Sequence, residues 1–130
     1  MATAPAFAST PRIGVAAVST ANTNRDGTGT IATVLTAGSS GTLIKEILCK
    51  ATGDPADSVV TIFLHDGTNY WLFDEFDLGN PAAASTTVEG YRIAKTYANL
   101  VLPTSWSVRA AITVALTSGV INVYALGGDL

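Results

Sequence analysis

The sequence predicts an all-β chain, an antiparallel β-sandwich that is jelly-roll-like and built from about eight short strands. Three observations carry that prediction. Runs rich in β-branched and aromatic residues alternate in polarity, as in Ser105–Ala115, where Trp106, Val108, Ala110, Ile112 and Val114 face one way. Clusters of Gly, Pro, Asn and Asp separate these runs at short intervals. No long helical pattern lies between them, as the crossovers of a parallel sheet would require.

The segments follow in order. Residues 1–11 hold Ala, Thr, Ser, Pro5 and Pro11 around the single aromatic Phe7, and read as an extended N-terminal arm. That arm is either a disordered terminus or a strap lying on a neighbouring subunit with Phe7 as its anchor. Residues 12–130 read as one domain, since 130 residues suffice for a single buried core. Arg12–Ser19 is the first strand. The stretch from Thr20 to Gly29, with Asn22, Asn24, Asp26, Gly27 and Gly29, is a tight loop. Its glycines match no phosphate-binding fingerprint and its oxygens lack the spacing of a calcium loop, so turns held by Asx side chains are the simpler reading.

Thr30–Thr36 is the second strand and Thr42–Lys50 the third. Simple alternation in the third puts Leu43, Lys45, Ile47 and Cys49 on one face and Ile44, Glu46 and Leu48 on the other, although a short helix also fits part of the run. Val59–Leu78 is the heaviest apolar stretch and forms a hairpin about His65-Asp-Gly-Thr-Asn69. With an even turn, Val60, Ile62 and Leu64 share the core face with Trp71 and Phe73. Thr61, Phe63 and His65 then share a partly wet face with Tyr70, Leu72 and Asp74. Thr87–Asn99 fits neither periodicity cleanly, Leu100–Leu102 runs into Pro103, and Val120–Leu126 is the last strand before a Gly127-Gly-Asp-Leu130 ending.

Chemistry is sparse. The lone His65 sits in the turn beside Asp66, with no nucleophile elbow anywhere in the chain. Asp74, Glu75 and Asp77 lie along one strand, so they do not converge as a catalytic pair; they read as charges protecting a sheet edge. One His and one Cys make a zinc site improbable. These features predict no catalytic residue, no metal and no cofactor. The single Cys49 has no internal disulfide partner and reads as a buried thiol, with an intermolecular bridge as the other option. Charged residues are only 13% of the chain at a net charge of −3, and the seven Lys and Arg are scattered, which argues against a nucleic-acid surface. No apolar run reaches the length of a membrane span, and the start lacks the pattern of a signal peptide. Tyr91, Tyr97 and Tyr124 are the better candidates for a binding surface, because both tryptophans fall in apolar faces.

Several stretches taken together resemble a known group. They are Ala21-Asn-Thr-Asn-Arg-Asp-Gly-Thr-Gly-Thr30, Ala37-Gly-Ser-Ser-Gly-Thr-Leu-Ile-Lys-Glu-Ile47, His65-Asp-Gly-Thr-Asn-Tyr70, Leu100-Val-Leu-Pro103 and the Gly127-Gly-Asp-Leu130 ending. From about residue 10 onward the chain resembles small β-sandwich proteins encoded in the virion-structure gene clusters of tailed bacteriophages and prophages. The resemblance implies a non-enzymatic capsid decoration or cement protein, made in the bacterial cytoplasm and carried on the virion head. It also implies two partners: the major capsid protein and the chain itself, as a homotrimer. Its motifs are turns and strand edges, so it supplies no active site. Contacts are expected at Phe7, at the loop residues Asn24, Arg25 and Asp26, and at Tyr91 and Tyr97. The alternative from a different class is a glycan-binding module of a phage tail or fibre.

Overall fold

The computed structural model describes residues 9–130. Eight strands and, among those residues, no helix form two antiparallel four-stranded sheets. The strands are β1 (Thr10–Val18), β2 (Ala32–Thr36), β3 (Thr42–Ala51), β4 (Ser58–His65), β5 (Tyr70–Gly79), β6 (Arg92–Leu102), β7 (Ser107–Ile112) and β8 (Ile121–Asp129). One sheet runs β1-β8-β3-β6 and the other β2-β7-β4-β5. Each strand pairs with its mirror image about the central turn: β4 with β5, β3 with β6, β2 with β7 and β1 with β8. A long hairpin rolled up this way is a jelly roll. The core between the sheets includes Ile44, Ile47, Ile62, Phe76, Val108 and Val123, all inaccessible to solvent. Cys49 lies among them, and burial pushes its thiol up to about 12, so it is an inert core residue.

Of the register shifts in the ladders, those in β3 and in the upper part of β5 decide which side chains of these two strands face the core. In β3 the pairing shifts between Ile44 and Glu46, leaving Lys45 out of register with both β6 and β8. Simple alternation therefore fails there: Ile44, Ile47 and Cys49 point inward, while Leu43, Glu46 and Leu48 point outward. In β5 the turn at Asp66–Asn69 is even, so His65 opposes Tyr70 and Leu64 opposes Trp71 as expected. The partner of Phe63 is Leu72, but the partner of Ile62 is Asp74, so Phe73 bulges out. The expected core face is thus corrected. Trp71 is 54% exposed and Phe73 is exposed too, whereas Phe76 and Leu78, beyond the bulge, supply the core. Asp66 reinforces the change by accepting the Trp71 indole N–H at 3.0 Å, which ties the ring to the turn.

Other boundaries move as well. Ser9 donates its backbone N–H to Asp129 at 2.8 Å, and Thr10 and Pro11 pair with Asp129 and Gly128. The first strand therefore begins inside the expected arm; Phe7 lies outside the described residues. The irregular segment from Thr87 resolves into a loop and then β6, which pairs with β3 of the same chain. At the far end, Gly127 and Gly128 are not a tail but part of β8, paired with β1 and β3 on either side.

A polar clasp joins that end to the rest. Arg12 donates to both oxygens of Asp129 (2.9 and 3.0 Å) and to the Thr36 carbonyl (3.0 Å). Buried Thr42 donates its hydroxyl to Asp129 at 2.7 Å and accepts the Gly38 N–H at 2.9 Å. The Thr42 hydroxyl, then the Arg12 guanidinium, hold the Asp129 carboxyl below its ordinary value. A carboxyl depressed by folding stabilises fully above its unfolded pKa and stops doing so as pH falls through the folded value. Below about pH 4, Asp129→Asn is therefore expected to flatten the fall of the thermal midpoint with pH. Asp26, Asp66 and Asp74, also depressed, keep the remaining slope. Melting curves recorded from neutral pH into acid decide it, and parallel profiles for the two proteins would contradict the clasp.

Candidate interaction surfaces

The two outer faces of the sandwich are treated differently. On the β2-β7-β4-β5 sheet, Thr61, Phe63 and Ala111 alternate with core residues yet are inaccessible to solvent or nearly so. The loop between β1 and β2 accounts for this. Asn22, itself buried, donates its side-chain amide to the Thr28 and Thr30 carbonyls (2.9 and 3.0 Å) and accepts the Asn24 N–H at 3.0 Å. Its backbone N–H reaches Ile112 at 2.8 Å, anchoring the loop to β7. Arg25 pairs with Glu75 on β5. Gly27, at φ 92°, lies so close to the Tyr70 side chain that an added Cβ would sit 2.4 Å from its Cβ and 2.6 Å from the ring. Tyr70 in turn meets Phe63 edge to face, with ring centroids 6.0 Å apart, and accepts a hydrogen bond from Arg109 at 3.0 Å. The face expected to be partly wet is lidded around Thr61 and Phe63, while Leu72 on the same face is exposed.

The loop also places three of the expected contact residues. Arg25 is committed to Glu75, and the Asp26 carboxylate accepts both the hydroxyl and the N–H of Thr28 (2.6 and 3.0 Å). Asn24 is exposed and bound through its backbone to Asn22. These residues build the lid, and only their outer surface is open to a partner. His65 keeps to the turn: its Nδ1 accepts the Gly67 N–H at 3.3 Å and its ring lies 4.3 Å from that of Tyr70.

The outer face of the β1-β8-β3-β6 sheet has no such lid among the described residues. Its central row runs Val15, Tyr124, Leu48 and Ala94 across the strands. One flanking row is Ile13, Leu126, Glu46 and Thr96, and the other is Ala17, Asn122, Lys50 and Arg92. Beyond Ile13 the row of Pro11, Gly128, Leu43 and Val101 extends the apolar surface. Ile13 is 71% exposed, Val15 53% and Val101 50%. A broad apolar sheet face open to solvent is the mark of an interaction site rather than of ordinary surface. The bulge at Lys45 creates it, because it turns Leu43 and Leu48 outward together.

A second apolar surface wraps the β5 edge, where Trp71, Leu72 and Phe73 are all exposed. Tyr97 is not a free binding residue here. It donates its hydroxyl to Asp74 at 2.7 Å and packs 5.4 Å from the Phe73 ring. Burial and the Asp74 carboxylate both raise its pKa. Burial disfavours the Asp74 anion, but the Tyr97 hydroxyl, Lys95 at 3.0 Å and the Glu75 N–H together hold its pKa down. Lys95 also lies 5.0 Å from the Phe76 ring centroid, so this group pins β6 to β5 across the open side of the sandwich. Tyr91 is half-buried on the rim of an open recess of about 430 Å³ between Pro81–Ala82 and Glu89–Arg92.

The structure thus brings Asn24, Arg25 and Asp26 to the side of the hairpin that carries Leu72, and turns Tyr97 into a cross-sheet tie. Sequence reasoning singled out Tyr124, which lies on the open sheet face, but missed the more exposed tryptophan Trp71 and the apolar face that the β3 bulge builds around Leu48. Among the described residues no group of three His, Cys, Asp or Glu is placed to hold a metal ion, and no helix is long and apolar enough to cross a membrane. Comparisons with protein-family models, with curated proteins and with solved structures find no match.

Proposed function

We propose that this chain is a non-enzymatic structural protein of a phage virion, a decoration or cement protein that binds the major capsid protein on the assembled head and also binds itself. The observation that supports the reading best is the pair of open apolar surfaces, the β1-β8-β3-β6 face and the Trp71–Phe73 edge, on a chain with only 13% charged residues. Two such surfaces suit a protein that links neighbours. The jelly roll adds a fold-level analogy, since this architecture serves both viral shells and lectins. Binding only the assembled shell would stabilise that state by mass action, and repetition over many copies multiplies a modest contact.

The test is co-sedimentation with purified heads of the encoding phage, set against unassembled major capsid protein. Binding to heads alone is expected, with Trp71→Ala weakening it by roughly tenfold, the effect of losing about 1.4 kcal/mol of contact. Equal or absent binding to both would contradict the reading. The exposed Trp71, its indole N–H tied to Asp66, favours a second reading, in which the ring is a platform for a sugar of the host surface. Glycan binding that is lost in Trp71→Ala, with no affinity for heads, would select that one.

A further inference from the structure

We propose that two copies pair face to face through the outer surface of the β1-β8-β3-β6 sheet, about a twofold axis running across the strands through Val15, Tyr124, Leu48 and Ala94. The proposal rests on the reading of the chain as a self-binding assembly protein and names the surface and symmetry of that contact.

The pattern of charge on the face selects the axis. A closed pair of identical chains requires a surface complementary to itself under one rotation. An axis along the central row exchanges the two flanking rows. It sets Glu46 of one copy against Lys50 of the other, and Lys50 against Glu46, since both lie on β3 two residues to either side of Leu48. Apolar residues meet at the centre, where Leu48 and Tyr124 face their own equivalents. The competing axis, along the row of Ile13 and Leu126, would set Glu46 on Glu46 at the middle of the contact, which like-charge repulsion disfavours. An axis along the strands, between β8 and β3, would bury Glu46 against Leu126 with no partner across the contact. Of the three, only the first sets Glu46 against a cation of the other copy, while Arg92 then faces Thr96.

Size sets the strength expected. Four strands about 4.8 Å apart, each presenting three outward residues about 6.8 Å apart in the rows that the axis lays on one another, make a footprint on the order of 400 Å² per copy. The total of about 800 Å² is at the small end for a contact between proteins, so pairing is expected to depend on concentration, and Tyr124 sits near its centre, where an aromatic anchor is most effective. Glu46 is available for the contact, because its one internal ion pair, to Arg92, is long at 3.9 Å. Lys50 donates to the Gly90 carbonyl at 2.6 Å and has two further N–H donors to offer.

The test is solution mass by light scattering over a concentration series, with circular dichroism melts to confirm folding. Wild type is expected to weigh twice the subunit mass. E46K places cation against cation at both symmetric contacts and is expected to weaken pairing by roughly tenfold or more. The double swap E46K/K50E restores the complement and is expected to recover pairing. L48E, at the axis, is expected to be a folded monomer. A trimer, a monomer at all concentrations, or a double swap no better than E46K overturns the proposal. So does a dimer indifferent to E46K and L48E but lost when residues 1–8 are deleted, which would assign the contact to the arm around Phe7. Heads bound by a strictly monomeric wild type would sink the pairing and leave the virion role standing; no binding to heads by a twofold dimer would do the reverse.

Discussion

Phe63→Ala is expected to lower the unfolding free energy by about 3–5 kcal/mol, the range for removing a large buried aromatic side chain. The ring is inaccessible to solvent although it points away from the main core. What it loses on truncation is the layer formed with Tyr70, Arg109 and the lid organised by Asn22. The cavity would open under that lid rather than between the sheets, so neighbouring strands cannot collapse into it. Chemical denaturation measures the loss, and Leu72→Ala on the paired but exposed position serves as the comparison, with a much smaller effect. Equal effects at the two positions would mean that the loop does not cover this face.

Gly127→Ala is expected to destabilise the fold by about 3 kcal/mol or more, at the upper end for overpacking. A Cβ at this position would stand 1.8 Å from the Leu43 carbonyl oxygen and 2.9 Å from its carbon. Both are backbone atoms of the bulged strand β3, held by pairing on two sides, so neither can turn aside as a side chain would. The requirement here is close approach, not unusual backbone angles. Denaturant unfolding, or failure to recover soluble protein, reports it. A Gly127→Ala protein as stable as wild type would show that the β3 bulge can relax, and with it the outward placement of Leu43 and Leu48.

Most of the strand framework could be read from the chain because its signals are local. Gly, Asn and Pro clusters punctuate runs whose alternation is set by the pleat, and the β4–β5 turn, four residues from Asp66 to Asn69, has the even length expected around Asp66-Gly67. What could not be read are the events of a single residue. Lys45 against β8 and Phe73 against β4 are each one extra residue in a ladder, and each reverses which neighbours face the core. Nothing in Leu43–Cys49 or Tyr70–Leu78 marks those positions, since the bulge is fixed by the partner strand and not by local propensity. That Phe63 lies on the dry part of its face is not legible for a different reason: its cover comes from a loop some forty residues earlier in the chain. The β6 segment blurs because Tyr97, Ala98 and Asn99 together oppose the single Lys45, and because its inward-facing Lys95 and Tyr97 are polar groups bound to Asp74. The open sheet face followed from the β3 bulge, so the candidate surface was hidden by the same residue that blurred the strand.

The central claim is that the β1-β8-β3-β6 face is a working surface and its opposite number a lidded one. The most direct measurement is the concentration dependence of backbone amide chemical shifts across the whole chain. The account predicts shifts confined to residues about Val15, Leu48, Ala94 and Tyr124, with Phe63, Ala111 and the Asn22 loop unmoved. Shifts centred on Trp71–Phe73 or on the loop, with the sheet face silent, would contradict it.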